Sequence, residues 1–245
     1  MNSVAICSII FGCCLGSAVV GMVVKLPDHH HDQDSKDTVR LVMGLIATIA
    51  ALVLSLLIAS ANSSYNAQKD ELRSFSANLI LLDRLLSSYG PEAKELRDQL
   101  HNSAVIAHDL IWSSGGVQPR NQEYGPRWLN LAQALSPKTD AQRAVHGQIM
   151  QLVVSLVQTR LLMLEQVGGT ISLPVLMVLV GWISVLFLGF GIFARFNLTV
   201  CVALVLGALS VSAAIFLILE LGRPYRGVLQ ISDAPLVNAL RQIDK

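Results

Sequence analysis

Residues that could do chemistry are few in this chain and are not arranged to do it together. Three histidines, His29-His30-His31, stand between Asp28 and Asp32, with Asp34 and Asp37 close behind. Imidazole and carboxylate are ligands for transition metals. Three consecutive histidines cannot all face one ion, however, and no second ligand pair follows at helical spacing. The stretch therefore reads as a solvated polar loop rather than a metal site. The four cysteines, Cys7, Cys13, Cys14 and Cys201, all lie in apolar surroundings and make neither a disulfide framework nor a ligand set. There is no glycine-rich phosphate loop, no nucleophile elbow and no HExxH pair. The expectation is a protein that is not an enzyme, with no catalytic residues, no cofactor and no metal.

One short motif does stand out, Glu220-Leu221-Gly222-Arg223-Pro224-Tyr225-Arg226-Gly227. It follows a long apolar run and begins with a carboxylate. Gly222 is expected to take the left-handed conformation that caps a helix, and Pro224 prevents the helix from resuming. Arg223, Tyr225 and Arg226 suit the headgroup layer of a bilayer. The motif reads as a helix stop at a lipid–water boundary, with Glu220 at its rim awaiting a cationic partner such as Arg223 or Arg226.

The elements that position this stop are membrane helices. The 245 residues are 53% hydrophobic and only 14% charged, with mean hydropathy +0.54. Soluble domains carry roughly 25% charged residues. Residues 4–24, 41–61, 173–194 and 198–219 hold no Asp, Glu, Lys, Arg or His, and each is long enough to cross a bilayer as a helix. No buried ionisable relay of the kind used by proton-coupled transporters is available in them. The net charge of +1 gives no reason to expect nucleic acid as a partner. The first span lacks the basic start of a signal peptide and is kept as a membrane helix. Within it Gly12, Gly16 and Gly21 form a small-residue stripe, expected to be a packing seam or part of a pore lining.

Between the second and third spans lies a long polar segment with helical periodicity. Leu72, Phe75, Leu79, Leu82, Leu86 and Tyr89 recur at alternating steps of three and four, so the second span is expected to continue past the membrane as one rod. Ile80, Leu81 and Leu85 widen the stripe. Gly90-Pro91 breaks it and Pro91 opens the next helix. Further helices are expected near Trp128–Leu135 and from Ser136-Pro137, with Ser136 as cap. A short last helix carries Leu236, Leu240 and Ile243 on one side, capped by Ser232 or Asp233. The expected fold is all-α: an integral membrane protein with four transmembrane helices and a water-exposed helical insert between the second and third. Its parts are a transmembrane hairpin (1–61), the insert (62–172), a second hairpin (173–222) and a C-terminal turn with a short helix (223–245).

The Phe190-Gly191-Ile192-Phe193 turn, Phe216 to Glu220, Arg223 to Gly227 and Ile231-Ser232 together resemble the C-terminal signature of the bestrophin-like family of bacterial membrane proteins. Tyr89-Gly90-Pro91-Glu92-Ala93, Arg97 and Trp112 resemble that family's soluble helical segment. Gly222 departs from the pattern, where many relatives carry a polar or acidic residue. The resemblance implies a multi-pass protein of the bacterial inner membrane and kinship with oligomeric anion channels.

Two functions fit these residues. One is an oligomeric pore for anions, lined by small and apolar side chains with Arg223 and Arg226 near its mouth. The other is a non-conducting scaffold or sensor whose insert binds a protein partner. The expected partners are the lipid bilayer and further copies of the chain. Four spans place both termini and the insert on one side, and the basic residues bias that side slightly to the cytoplasm.

Overall fold

The computed structural model describes residues 3–24, 33–113, 124–166, 173–194, 197–225 and 227–243. Among the described residues the regular elements are all helical: α1 (Ser3–Val23), α2 (Gln33–Tyr89), α3 (Lys94–His108), α4 (Tyr124–Ala134), α5 (Asp140–Gln166), α6 (Leu173–Phe193), α7 (Leu198–Leu221) and α8 (Ala234–Ile243). Four of them, α1, α6, α7 and part of α2, are long and apolar enough to cross a membrane. The chain is an all-α integral membrane protein with a water-exposed helical insert between its second and third spans. It folds as two compact units, Met1–Ser64 with Thr170–Gly222, and Tyr65–Gly169 with Arg223–Lys245.

In the membrane unit α1 packs on α6 and α7. Its buried face is Ser3, Ile10, Cys14, Ala18 and Gly21, and it meets Leu179, Ile183 and Phe187 of α6 with Ala208 and Ile215 of α7. The closest approach is at two glycines. A Cβ on Gly21 would run into the Leu188 carbonyl oxygen and stand 3.1 Å from the Gly191 Cα, and one on Gly191 would run into the Ala18 carbonyl oxygen. Small residues at such a crossing let two backbones touch where lipid offers no hydrophobic drive to association. Ser8, Thr48 and Ser210 donate to the carbonyls of Val4, Gly44 and Leu206, each at 2.9 Å, so these hydroxyls are satisfied by their own helices. Ser212, in contrast, is buried at 6% exposure, and its Oγ has no hydrogen-bond partner among the described residues.

In the helical unit the rod is continuous to Tyr89, and the six seam residues Leu72, Phe75, Leu79, Leu82, Leu86 and Tyr89 are all buried. Leu79 and Leu82 have no exposed surface, against Leu100, Ile149 and Leu156 of α3 and α5 in the same core. Burying a leucine this completely contributes about 1.5–3 kcal/mol relative to leaving it in water. Leu81, expected to widen the stripe, is instead 47% exposed. The rod ends at Gly90, whose φ of 121° and ψ of −174° are essentially open only to glycine, and Pro91–Ala93 form a 3₁₀ turn into α3. The amide side chain of Gln142 then donates to the Tyr89 carbonyl at 3.0 Å, satisfying one of the open carbonyls at the rod's end.

Two helix starts differ from expectation. Ser136 does not cap α5, which begins at Asp140. Thr139 does so, its Oγ1 accepting from the Gln142 N–H at 3.1 Å, while the Gln142 Oε1 accepts from the Lys138 N–H at 2.8 Å. This reciprocal pair satisfies two open donors where Ser136 followed by proline could satisfy fewer. Helix α4 begins at Tyr124, four residues before the expected Trp128. Its Trp128 is 1% exposed and donates to the Ser103 Oγ at 3.2 Å.

Candidate functional site

The α1 glycines do not act as one stripe. Gly21 is buried in the crossing with α6, whereas Gly12 and Gly16 are exposed and a Cβ on either would meet nothing within 4 Å. Ile9, Cys13, Val19 and Val20 are exposed on the helix as well. The inner face is thus consumed by the protomer's own core, and the outer face presents small residues to whatever surrounds the helix.

The helix stop is built differently from the left-handed cap expected of it. Gly222 has φ −74° and ψ −1°, and its N–H still donates to the Ile218 carbonyl at 3.1 Å. It continues the right-handed turn, because Pro224 alone suffices to end the helix by lacking an N–H and by steering Arg223 away from helical geometry. The positive φ falls later, at Gly227, with 106°. Glu220 is only 4% exposed, and Pro224 and Tyr225 are buried. Arg226 lies outside the described residues, as does the loop of His29, His30 and His31. Among the described residues no three His, Cys, Asp or Glu side chains are grouped to hold a metal ion.

Beyond the stop, the C-terminal segment is clamped to the end of α3. A π-helical turn, Asp109–Ser113, follows α3 and presents Trp112. Trp112 stacks on His108 with ring centroids 5.4 Å apart, and meets the edge of Tyr225 at 5.9 Å and 88°. Its indole N–H donates to the Ile231 carbonyl at 3.1 Å, and the Ile231 N–H donates to the Pro224 carbonyl at 2.7 Å. His108 Nε2 lies 3.1 Å from an Asp233 carboxylate oxygen and Nδ1 lies 3.3 Å from Asp109. Burial, with the Glu71 carboxylate adding to it, pushes the Tyr225 hydroxyl up to about 12. Tyr225 is thus neutral at any physiological pH and serves as a packed ring. Neither His108 nor Asp109 was marked by a sequence pattern, and Asp233 was marked only as a possible cap of the last helix. Only the spacing of His108 and Trp112, four apart on a helix, hinted at a stacked pair.

Hydrogen bonding to Asp233, and next to Asp109, raises the His108 pKa above its ordinary value against a smaller opposing effect of burial. A raised folded-state pKa stabilises the fold fully below the unfolded value, and that contribution is lost as pH rises through the folded value. The insert should therefore lose stability as pH is raised from about 6 toward 8 or above, around the ordinary histidine value. Because Asp233 is 43% exposed, the loss should stay within about 1 kcal/mol. Thermal unfolding of the parent followed against pH should show this slope, and His108→Gln should flatten it.

Comparison with known proteins identifies this architecture. The chain matches the Bestrophin-like domain over residues 10–236. Among solved structures it is similar to a point mutant of a bacterial bestrophin homologue from Klebsiella pneumoniae, with TM-score 0.67, 9% identity and 96% of each chain covered. At that identity the likeness concerns the fold. No curated protein matched the chain. With the family match running through all four spans, the insert and the helix stop, the chain belongs to the bestrophin-like family.

Proposed function

We propose that this protein is the protomer of an oligomeric membrane pore of the bestrophin type, conducting anions. Family membership supports the class of function. The observation that carries the oligomer is the packing of the membrane unit. Its interior is filled by Ile10, Cys14, Leu179, Ile183, Phe187 and Ile215, and residues 4–24, 41–61, 173–194 and 198–219 carry no charged group. A single protomer thus leaves no wet path, and conduction needs a lumen between copies. The insert supports the same reading. Leu81, Val154, Leu161 and Leu162 are 39–57% exposed there, and water, unlike lipid, gives such side chains a reason to be covered. In this assembly Gly12 and Gly16 face the lumen or a neighbouring copy, and Arg223 and Arg226 lie near the cytoplasmic mouth. Their guanidinium groups would raise the local anion concentration.

In the same reading the protein sits in the bacterial inner membrane with the insert and both termini cytoplasmic, which the slight bias of basic residues supports. Labelling of a cysteine at Ser35 from the periplasm and at Ser114 from the cytoplasm, in a cysteine-free background, would agree with this. The reverse pattern would invert the topology.

The glycines test the pore. Gly12→Leu and Gly16→Leu have room within the protomer, so the protein should fold but assemble or conduct differently from the parent. Gly191→Ala must displace backbone at the α1–α6 crossing and should cost about 1–3 kcal/mol as overpacking does. Unchanged mass and unchanged anion flux in both leucine variants would contradict a role for that face.

A further inference from the structure

At the other end of the membrane unit from the helix stop, a cavity of about 480 Å³ opens between α2 and the α6–α7 hairpin. Its walls are Met43, Gly44 and Ala47 of α2, Phe190 and Phe193 of α6, and Val200 of α7. Arg40 stands at its edge, the one charged side chain among the described residues that line it. The charge-free run of α2 begins at the next residue, Leu41, so Arg40 is placed where the helix leaves hydrocarbon for headgroups. Its neighbour Asp37 is 3.6 Å away, and both side chains are about 70% exposed. Such a pair is weak and screened by water, and most of the guanidinium's donors stay available to an anion. Below it the space is apolar and roomy: a Cβ on Gly44 would meet nothing within 4 Å. The cavity falls in the size range of small-molecule sites.

We propose that this groove is a binding site for an anionic phospholipid, with its phosphate on Arg40 and an acyl chain along Met43, Ala47, Phe190 and Phe193. Three features select this ligand over others. The charge at the rim is cationic, the floor is wholly apolar, and the two are stacked along α2 in the order in which a phospholipid presents head and tail. The site goes beyond the pore reading and does not depend on it.

The test uses the purified full-length protein washed in detergent and then equilibrated with mixed micelles of phosphatidylglycerol and phosphatidylcholine. Bound lipid per chain is read by mass spectrometry. The parent should retain phosphatidylglycerol in preference to phosphatidylcholine. One basic residue near a surface attracts an anionic headgroup enough to change affinity about fivefold. Arg40→Gln should therefore reduce the preference about fivefold while leaving some lipid bound. Gly44→Leu should fill the groove and remove both lipids, with helicity and the mass of the complex unchanged. Arg40→Gln keeps the cavity intact and so tests the site even if Gly44→Leu fails to fold. The proposal is overturned if the parent retains no lipid, or if both variants retain it as the parent does. It is overturned equally if inorganic phosphate displaces the lipid, which would mark a free-anion site, or if Gly44→Leu splits the complex, which would mean that a second copy fills the groove.

Discussion

Replacing Arg97 by alanine should destabilise the helical insert by about 3–5 kcal/mol, toward the lower end, as removal of one partner from a buried ion pair does. Asp83 lies on α2 and is 5% exposed, in a core of leucines. Arg97 approaches from α3 and holds it with two donors, Nε to Oδ1 and Nη2 to Oδ2 at 3.0 Å. Its Nη2 also donates to the Ile243 carbonyl at 3.4 Å, the last turn of α8. One guanidinium thus ties three helices together. Without it the carboxylate has lost its water and gained nothing in exchange. The lower end applies because the Arg97 side chain is 34% exposed, so water can partly replace it. Arg97→Lys should recover only part of the loss, since an ammonium cannot engage both carboxylate oxygens in the same fork. Joint replacement by Asp83→Leu and Arg97→Met should recover more than either single variant. Thermal unfolding in detergent, followed by tryptophan fluorescence, checks the series. An Arg97→Ala protein as stable as the parent would mean that the pair does not organise the insert.

The second large effect is expected at the rod. Gln68→Pro and Ser76→Pro should each cost about 3 kcal/mol or more by removing an interior hydrogen bond and clashing with the preceding turn. Both residues are buried within the unbroken helix Gln33–Tyr89, and the Ser76 Oγ donates to the Leu72 carbonyl at 2.8 Å. A kink at either position would pull Leu79 and Leu82 out of the core that they share with α3 and α5. Proline at exposed Asn66, on the same helix, should break the ladder without disturbing a buried side chain, separating helix continuity from packing. Full stability and normal assembly in the Gln68 and Ser76 variants would contradict a continuous rod.

How far the sequence goes depends on how local the signal is. The rod was legible because its seam repeats for five turns, and all six seam residues are buried. The spans were legible because hydrocarbon excludes charge, which leaves an unmistakable gap in Asp, Glu, Lys, Arg and His. Gly21 shows a signal present but misread. At about 100° per residue, the nine residues from Gly12 to Gly21 turn the helix to its opposite face, whereas Gly12 and Gly16 stay roughly 40° apart. Spacing alone therefore separates the inner glycine from the outer pair. Gly222 was misassigned because glycine permits the left-handed conformation without requiring it, and Pro224 had already ended the helix. The clamp on the C-terminal segment was not legible. His108 and Asp233 are 125 positions apart, and no periodicity links residues that meet only after α3 and α8 have packed.

The central claim is that copies of this chain enclose an anion path. The most direct measurement is the reversal potential of single-channel current through the purified protein in a planar bilayer, under a KCl gradient, with the mass of the inserted complex known. A complex of several chains should give current that reverses near the chloride equilibrium potential, and Gly16→Leu should change its amplitude. A correctly assembled complex that passes no current, or one whose current reverses near the potassium potential, would contradict the account.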